Sequence, residues 1–231
     1  MTASPVVLIL GAGARVGAAV AERFANNGYK VAVVSRKGTG SINSDGYLSL
    51  KADFSKPETV PAVFEAAKTE FHAAPTVVVY NAASLVPPPD PNSIFSLPAE
   101  AFASSLNINT NSAYVAAQQA VKGWETLPAE TKKTFIYTGN ALNAFLIPAP
   151  ILATLGTGKN ASSFWISLAD TLYSSKGTRF FYADERHADG KSKGEALDGA
   201  AHADFYEQLA KHEGNVPWQA TFVKDKGYVK F

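Results

Sequence analysis

The chain has 231 residues, 46% of them apolar and 18% charged, with a net charge of +1. That length supports one large α/β domain, and the balance excludes a disordered chain or a field drawing it to nucleic acid or membrane. With no cysteine and four histidines, at 72, 187, 202 and 212, a disulfide scaffold, a zinc-thiolate site and a cysteine nucleophile are excluded. The histidine spacing suggests no metal site. Met1 to Pro5 shows no basic region ahead of a short apolar run, so neither signal peptide nor membrane span is read, and a soluble cytoplasmic protein is expected.

In chain order, Val6–Leu10 is an apolar run of strand length rich in β-branched residues. A glycine turn, Gly11 to Gly17, follows at once. Val16, Val20 and Phe24 then recur at helical spacing, and Asn27-Gly28 stops that helix. Lys30 to Ser35 reads as a second buried strand. Strand, glycine turn, helix and strand form the first crossover of a dinucleotide-binding fold. Gly11 and Gly13 let backbone approach a pyrophosphate, and the free amides around Arg15, Val16 and Gly17 then face the phosphates. An ordinary strand-helix turn that happens to contain glycines is the competing reading.

Beyond a polar loop at 37–46, Tyr47 to Leu50 is a short strand, and a helix spans about 57–71. Thr76 to Tyr80 is wholly apolar and therefore central. The segment 84–98 carries five prolines and reads as a rigid loop at the strand's C-terminal end, where open α/β sheets bind ligands. A long helix covers about 99–124, with a break near 107–111. Thr134 to Thr138 is a fifth strand. A helix over about 152–175 has Ala161, Phe164, Trp165, Leu168, Ala169 and Leu172 at helical spacing, with Phe164 and Trp165 read as helix-packing residues. Arg179 to Ala183 is a sixth strand, about 197–211 is helical as one piece or two, and 221–223 with 228–230 form a last strand or hairpin. The alternation implies a Rossmann-type, doubly wound, mostly parallel sheet of about seven strands with helices on both faces. The whole chain, 1–231, reads as a single domain, with substrate-side loops at 84–98 and 184–213.

Arg36 ends the second strand, where folds selective for NAD place an acid on the ribose. No Asp or Glu lies between Val31 and Asn43. Arg36, Lys37 and Arg15 would suit a 2′-phosphate, which points to NADP; three solvated surface charges are the alternative.

Order, length and local motifs resemble the short-chain dehydrogenase/reductase family over nearly the whole chain. The family opens with Gly-x-x-x-Gly-x-Gly; Gly11 and Gly17 match its outer glycines, and Arg15 replaces the middle one. Asp53, with Phe54 beside it, matches an aspartate that holds the adenine ring. Asn81-Ala82-Ala83 resembles the Asn-Asn-Ala-Gly stretch after the fourth strand. By the same resemblance, Asn107 is the helix asparagine that helps position the catalytic lysine. Lys159 is the lysine of Tyr-x-x-x-Lys, bonded to the nicotinamide ribose. Two departures stand out. The catalytic serine is absent from Thr138-Gly139-Asn140, and the proton-donating tyrosine is Leu155. The Pro-Gly pair after the sixth strand is also missing.

What remains for substrate chemistry is Lys159, Asn140, Thr138 and His187. Asn140 can bond a substrate carbonyl or cap its own turn. His187 is a substitute acid or a solvated loop residue. The resemblance implies an NADPH-dependent oxidoreductase acting on a small organic carbonyl or imine, and a homodimer or homotetramer through the two long helices. A catalytically silent NADP-binding sensor or subunit, and a redox-neutral isomerase or cyclase, are the alternatives.

Overall fold

The apolar runs assemble into one nine-stranded sheet in this computed structural model, which describes residues 4–231. Part of the N-terminal stretch, residues 1–3, lies outside the described residues. The strands are β1 (Val6–Leu10), β2 (Lys30–Ser35), β3 (Ser41–Ile42), β4 (Leu48–Lys51), β5 (Val77–Tyr80), β6 (Lys133–Thr138), β7 (Thr178–Glu185), β8 (Gln219–Val223) and β9 (Gly227–Tyr228). Their order is β3-β4-β2-β1-β5-β6-β7-β8-β9. The seven strands from β4 to β8 are parallel, and two-residue antiparallel strands close each edge. The expected seven-stranded parallel core is present, and the short edge strands are the addition.

Helices cover both faces, because strands buried on two sides need apolar cover on both. Helices α1 (Val16–Asn26) and α6 (Gly199–Ala210) pack through Val20, Phe24, Phe205 and Leu209 onto one face. Helices α2 (Val60–Phe71), α4 (Ser112–Trp124) and α5 (Ala153–Tyr173) cover the other. The 197–211 segment is one helix, started by Asp198, whose Oδ1 accepts from the Ala201 amide at 3.0 Å.

The expected break in the long helix is a π turn at Asn107–Asn111, between α3 (Ala99–Leu106) and α4. The run Asn-Ile-Asn-Thr-Asn is poor in helix formers, so tertiary bonds decide its geometry. Tyr80 and Tyr137 donate their hydroxyls to the Ile108 and Asn109 carbonyls, each at 2.6 Å. These tyrosines are register partners with Tyr182 across β5, β6 and β7. The three rings stack at 5.8 and 5.6 Å between centroids. Both strand tyrosines of the fifth and sixth expected strands are thus core residues whose hydroxyls are nonetheless bonded.

One sequence reading is corrected on α5. Its apolar stripe faces outward: Phe164 is 72% exposed, and Leu168 and Leu172 are exposed with it. Trp165 and Ala169 turn inward, Trp165 edge-on to Phe135 and Tyr114. The sheet-facing side instead carries Ser162, Ser163, Ile166 and Asp170, since Asp170 must reach Arg179 and the Phe180 amide. Among the described residues, no helix is long and apolar enough to cross a membrane.

Candidate active site and cofactor cleft

The chain reverses direction across the sheet between β1 and β5, and open sheets bind ligands outside the strand ends at such a point. A cavity of about 890 Å³ lies there, walled by Gly11 to Gly13, Ser35 to Lys37, Asp53 to Ser55, Asn81 to Leu85, and Ile108. The turns after β1 and β5 are drawn tightly together. The Asn81 and Ala82 amides both donate to the Leu10 carbonyl, and Asn81 Nδ2 donates to the Gly11 carbonyl at 2.9 Å. Gly11 sits at φ +102°, and a Cβ there would fall 2.5 Å from the Ala82 nitrogen. Only glycine satisfies both conditions. By contrast, a Cβ on Gly13 would meet nothing within 4 Å, so the wall there is bare backbone beside open space.

Helix α1 begins at this wall. No side chain caps it and no acid lies in its first turn; the Ala18 amide donates to the Gly13 carbonyl at 2.9 Å, and the Val16 and Gly17 amides with the helix's positive end remain for an anion. These features fit a dinucleotide pyrophosphate. Val16 and Gly17 are buried in the helix behind the turn rather than on the cavity wall. Arg36 and Lys37 are exposed at the end of β2 and line the cavity. Arg15 is turned elsewhere: its guanidinium donates to the Glu195 carbonyl in the segment after β7. Asp53 lines the cavity too. Its carboxylate accepts from the Ser55 hydroxyl and amide, at 2.7 and 3.0 Å, and these bonds hold its pKa below the usual range.

At the ends of β6 and β7 the chemistry differs. Lys159 is 4% exposed. Its Nζ donates to the Thr138 carbonyl at 2.6 Å and lies 4.3 Å from the Tyr137 ring centre. Burial lowers its pKa to about 7, with the Asp184 carboxylate opposing the fall. Asp184 is itself buried against Arg186, Nε to Oδ2 at 2.5 Å, and burial raises it to about 6 despite that partner. The Thr138 hydroxyl accepts from Tyr206 at 2.8 Å. Asn140 is half-buried, and its Oδ1 accepts from the Leu142 amide at 3.1 Å. The turn-capping role therefore coexists in one side chain with an amide nitrogen that donates to nothing among the described residues. Leu155 is half-buried one helical turn before Lys159.

Two sequence-predicted residues are not brought to this group. Asn107 donates to the Ser55 carbonyl at 2.9 Å and accepts from Asn111, so it braces the loop after β4. The wide π turn puts Asn109 against α5 instead, where a Cβ on Gly158 would lie 2.4 Å from Asn109 Cβ. Asn109 is fully buried, bonded to both backbone groups of Ser84, and its carbonyl also accepts from Ser162. His187 is exposed in a turn closed by bonds between its backbone and Lys191 and Gly190. A second, mainly apolar chamber of about 1010 Å³ adjoins α5, walled by Phe102, Leu142, Phe145, Ile147, Leu152 and Gly156 among others.

A family model described as short chain dehydrogenase matches residues 5–133. The short chain dehydrogenase/reductase dmxR12 of Cryptosporiopsis sp. (strain 8999) is 39% identical over 241 residues, covering 99% of this chain and 95% of that protein. This chain belongs to the short-chain dehydrogenase/reductase family. Solved structures agree on the fold. A short-chain type dehydrogenase/reductase from Mycobacterium marinum superposes with a TM-score of 0.77 at 19% identity, over 98% of this chain and 96% of that one. A metagenomic short-chain oxidoreductase in complex with NADP gives 0.75 at 15% identity, over 96% and 97%. An oxidoreductase of the family from Brucella ovis, in complex with partially ordered NAD, gives 0.75 at 15%, over 96% and 100%. The family binds NAD(P) and acts on small molecules as oxidoreductases.

Within the family frame, sequence reading missed Asn109, Tyr182 and the Asp184–Arg186 pair. Asn109 carries the same signal as Asn107, two residues away, and only the π turn tells them apart. Tyr182 was legible as a strand residue, but its partner Asn140 lies 42 positions upstream.

Proposed function

We propose that this member is an NADPH-dependent oxidoreductase acting on a small organic carbonyl or imine, through an active site rebuilt without the family tyrosine, within a single domain spanning 1–231. The observation that carries the reading is the cavity at the β1–β5 reversal. It has bare glycine backbone and an uncapped helix start at one end, and Arg36 with Lys37 and no acid at the end of β2. Gly11, Gly13 and the start of α1 would hold the pyrophosphate. Arg36 would grip the 2′-phosphate bidentately, as a planar guanidinium can. Asp53 and Phe54 would hold the adenine end, and Asn81 and Ala82 the passage toward the reacting end. NADPH would supply a hydride when bound.

The chain's own residues then orient and polarise. Lys159 places a buried cation beneath the reacting end, held by Thr138 and the face of Tyr137. Asn140 offers its amide nitrogen to a substrate oxygen. Leu155 leaves an apolar surface where a proton donor would stand, which favours acceptors that need little protonation, such as iminium ions. The apolar chamber beside α5 suits a substrate with an apolar body.

The second reading, a catalytically silent NADP-binding protein, is favoured by one observation: Leu155, where the family tyrosine would stand, has no transferable proton. NADPH consumption with a panel of carbonyls and imines separates the two. Turnover of at least one acceptor supports the enzyme, and tight NADPH binding without any turnover supports the silent binder. We also propose a homodimer or homotetramer, since Phe164, Leu168 and Leu172 with Tyr114 form an exposed apolar face on α5 and α4.

A further inference from the structure

Asn140 is held by an uncommon support. The Tyr182 hydroxyl meets both backbone groups of this one residue, accepting from its amide at 3.1 Å and donating to its carbonyl at 3.0 Å. The Tyr182 ring reaches it by lying where a side chain at 139 would be. A Cβ on Gly139 would come within 2.3 Å of the ring. Gly139 has no positive φ, so glycine is needed there for room and not for backbone freedom. The Asn140 side chain is oriented as well, because Oδ1 accepts from the Leu142 amide. Its Nδ2 donates to nothing among the described residues, and the residue stays half-exposed above a fully buried tyrosine.

We propose that Tyr182 is a positioning residue of the reductase site: its hydroxyl, admitted by Gly139, fixes Asn140 so that Nδ2 is the donor to the substrate carbonyl. The proposal rests on the reductase reading above. Three observations converge on it. The hydroxyl is committed to one residue, the ring requires a glycine at the neighbouring position, and the clamped residue keeps one amide donor unpaired. The stacked row from Tyr80 to Tyr182 makes the support rigid, since neither end ring can tilt without displacing Tyr137. A preorganised donor stabilises developing charge on a carbonyl oxygen more than a mobile one does.

The test uses NADPH-saturated full chain and a series of ring-substituted benzaldehydes of graded electrophilicity. Tyr182→Phe keeps the stack and removes only the hydroxyl. It should lower kcat about tenfold for the least electrophilic aldehydes, a loss of the size expected for a misplaced donor. The loss should shrink as electrophilicity rises, with NADPH affinity unchanged. Asn140→Ala should cost about 100-fold with the same trend. Adding Tyr182→Phe to Asn140→Ala should cost nothing further, because the clamp then holds no donor. Melting curves confirm that each variant is folded at the assay temperature. An unchanged kcat in Tyr182→Phe, an equal loss for every aldehyde, or additive losses in the double variant would overturn the positioning role alone. A parent protein that binds NADPH yet reduces no carbonyl or imine would overturn the reductase reading and this role with it.

Discussion

The two halves of the sheet end differently. On the β4-β2-β1 side, the strand ends line the cavity with bare glycine backbone, the exposed Arg36 and Lys37, and Asp53. The β6-β7 ends are instead built of buried side chains, with Lys159, Asp184 and Arg186 all under 5% exposed beside a row of three stacked tyrosine rings. Backbone recognition tolerates little change, because a Cβ or a wrong φ destroys it outright. Side-chain chemistry can be exchanged when neighbours compensate. The site proposed above keeps the first region close to the family pattern and departs from it in the second, at Leu155, Gly139 and Asn140.

If that contrast holds, Gly11→Val should be the most damaging single change. It puts a branched side chain at φ +102° and within 2.5 Å of the Ala82 nitrogen, and denaturant titration should show a loss of about 3 kcal/mol, the upper range of ordinary substitutions. Retained stability and NADPH binding in this variant would dissolve the contrast from the cofactor side.

On the other side, Leu155→Tyr should raise carbonyl reduction toward the roughly 100-fold that a positioned general acid contributes, while leaving imine reduction little changed. Steady-state rates with matched carbonyl and imine acceptors check this. An equal change in both would mean that position 155 does not face the reacting end.

Lys159 supplies a pH signature. Its pKa falls from the usual 10.5 to about 7 on burial. Between those values the unfolded chain binds the proton that the folded chain has released, so this group makes stability rise with pH from about 7 to 10.5. Lys159→Met should flatten that rise in urea titrations at a series of pH values. A variant with the parent's slope would show that the ammonium is not desolvated.

The smallest effect on the fold is expected at the exposed stripe. Phe164→Asp should change monomer stability by no more than about 0.5 kcal/mol, as exposed positions do, yet split the oligomer to the 24.5 kDa chain in light scattering. A parent that is already that mass would remove the interface.

Much of the fold was legible because it rests on local pattern. Val6–Leu10 read as a strand and Thr76 to Tyr80 as a central one because they are apolar runs, and the observed strands Val6–Leu10 and Val77–Tyr80 are buried throughout. The glycine turn read as a cofactor wall since its requirement is for missing side chains. The β6-β7 region was less legible because its bonds join distant positions: Lys159 to Thr138, Tyr182 to Asn140, Tyr137 to Asn109. Helical spacing marked the stripe at Phe164, Leu168 and Leu172 but gave no direction, and Asp170, reaching inward to Arg179, turned it outward. The choice between Asn107 and Asn109 depended on a π turn that side-chain hydroxyls from two strands impose.

The central claim is that the glycine-lined side of the sheet is built for a phosphorylated dinucleotide. Fluorescence titration of the parent and of Arg36→Ala with NADPH and NADH tests it most directly. The account predicts that the parent binds NADPH at least about tenfold more tightly than NADH, a difference of about 1.4 kcal/mol from one charge-assisted contact, and that Arg36→Ala removes the difference by weakening NADPH alone. Equal affinities in the parent, or a loss shared by both cofactors in the variant, would contradict it.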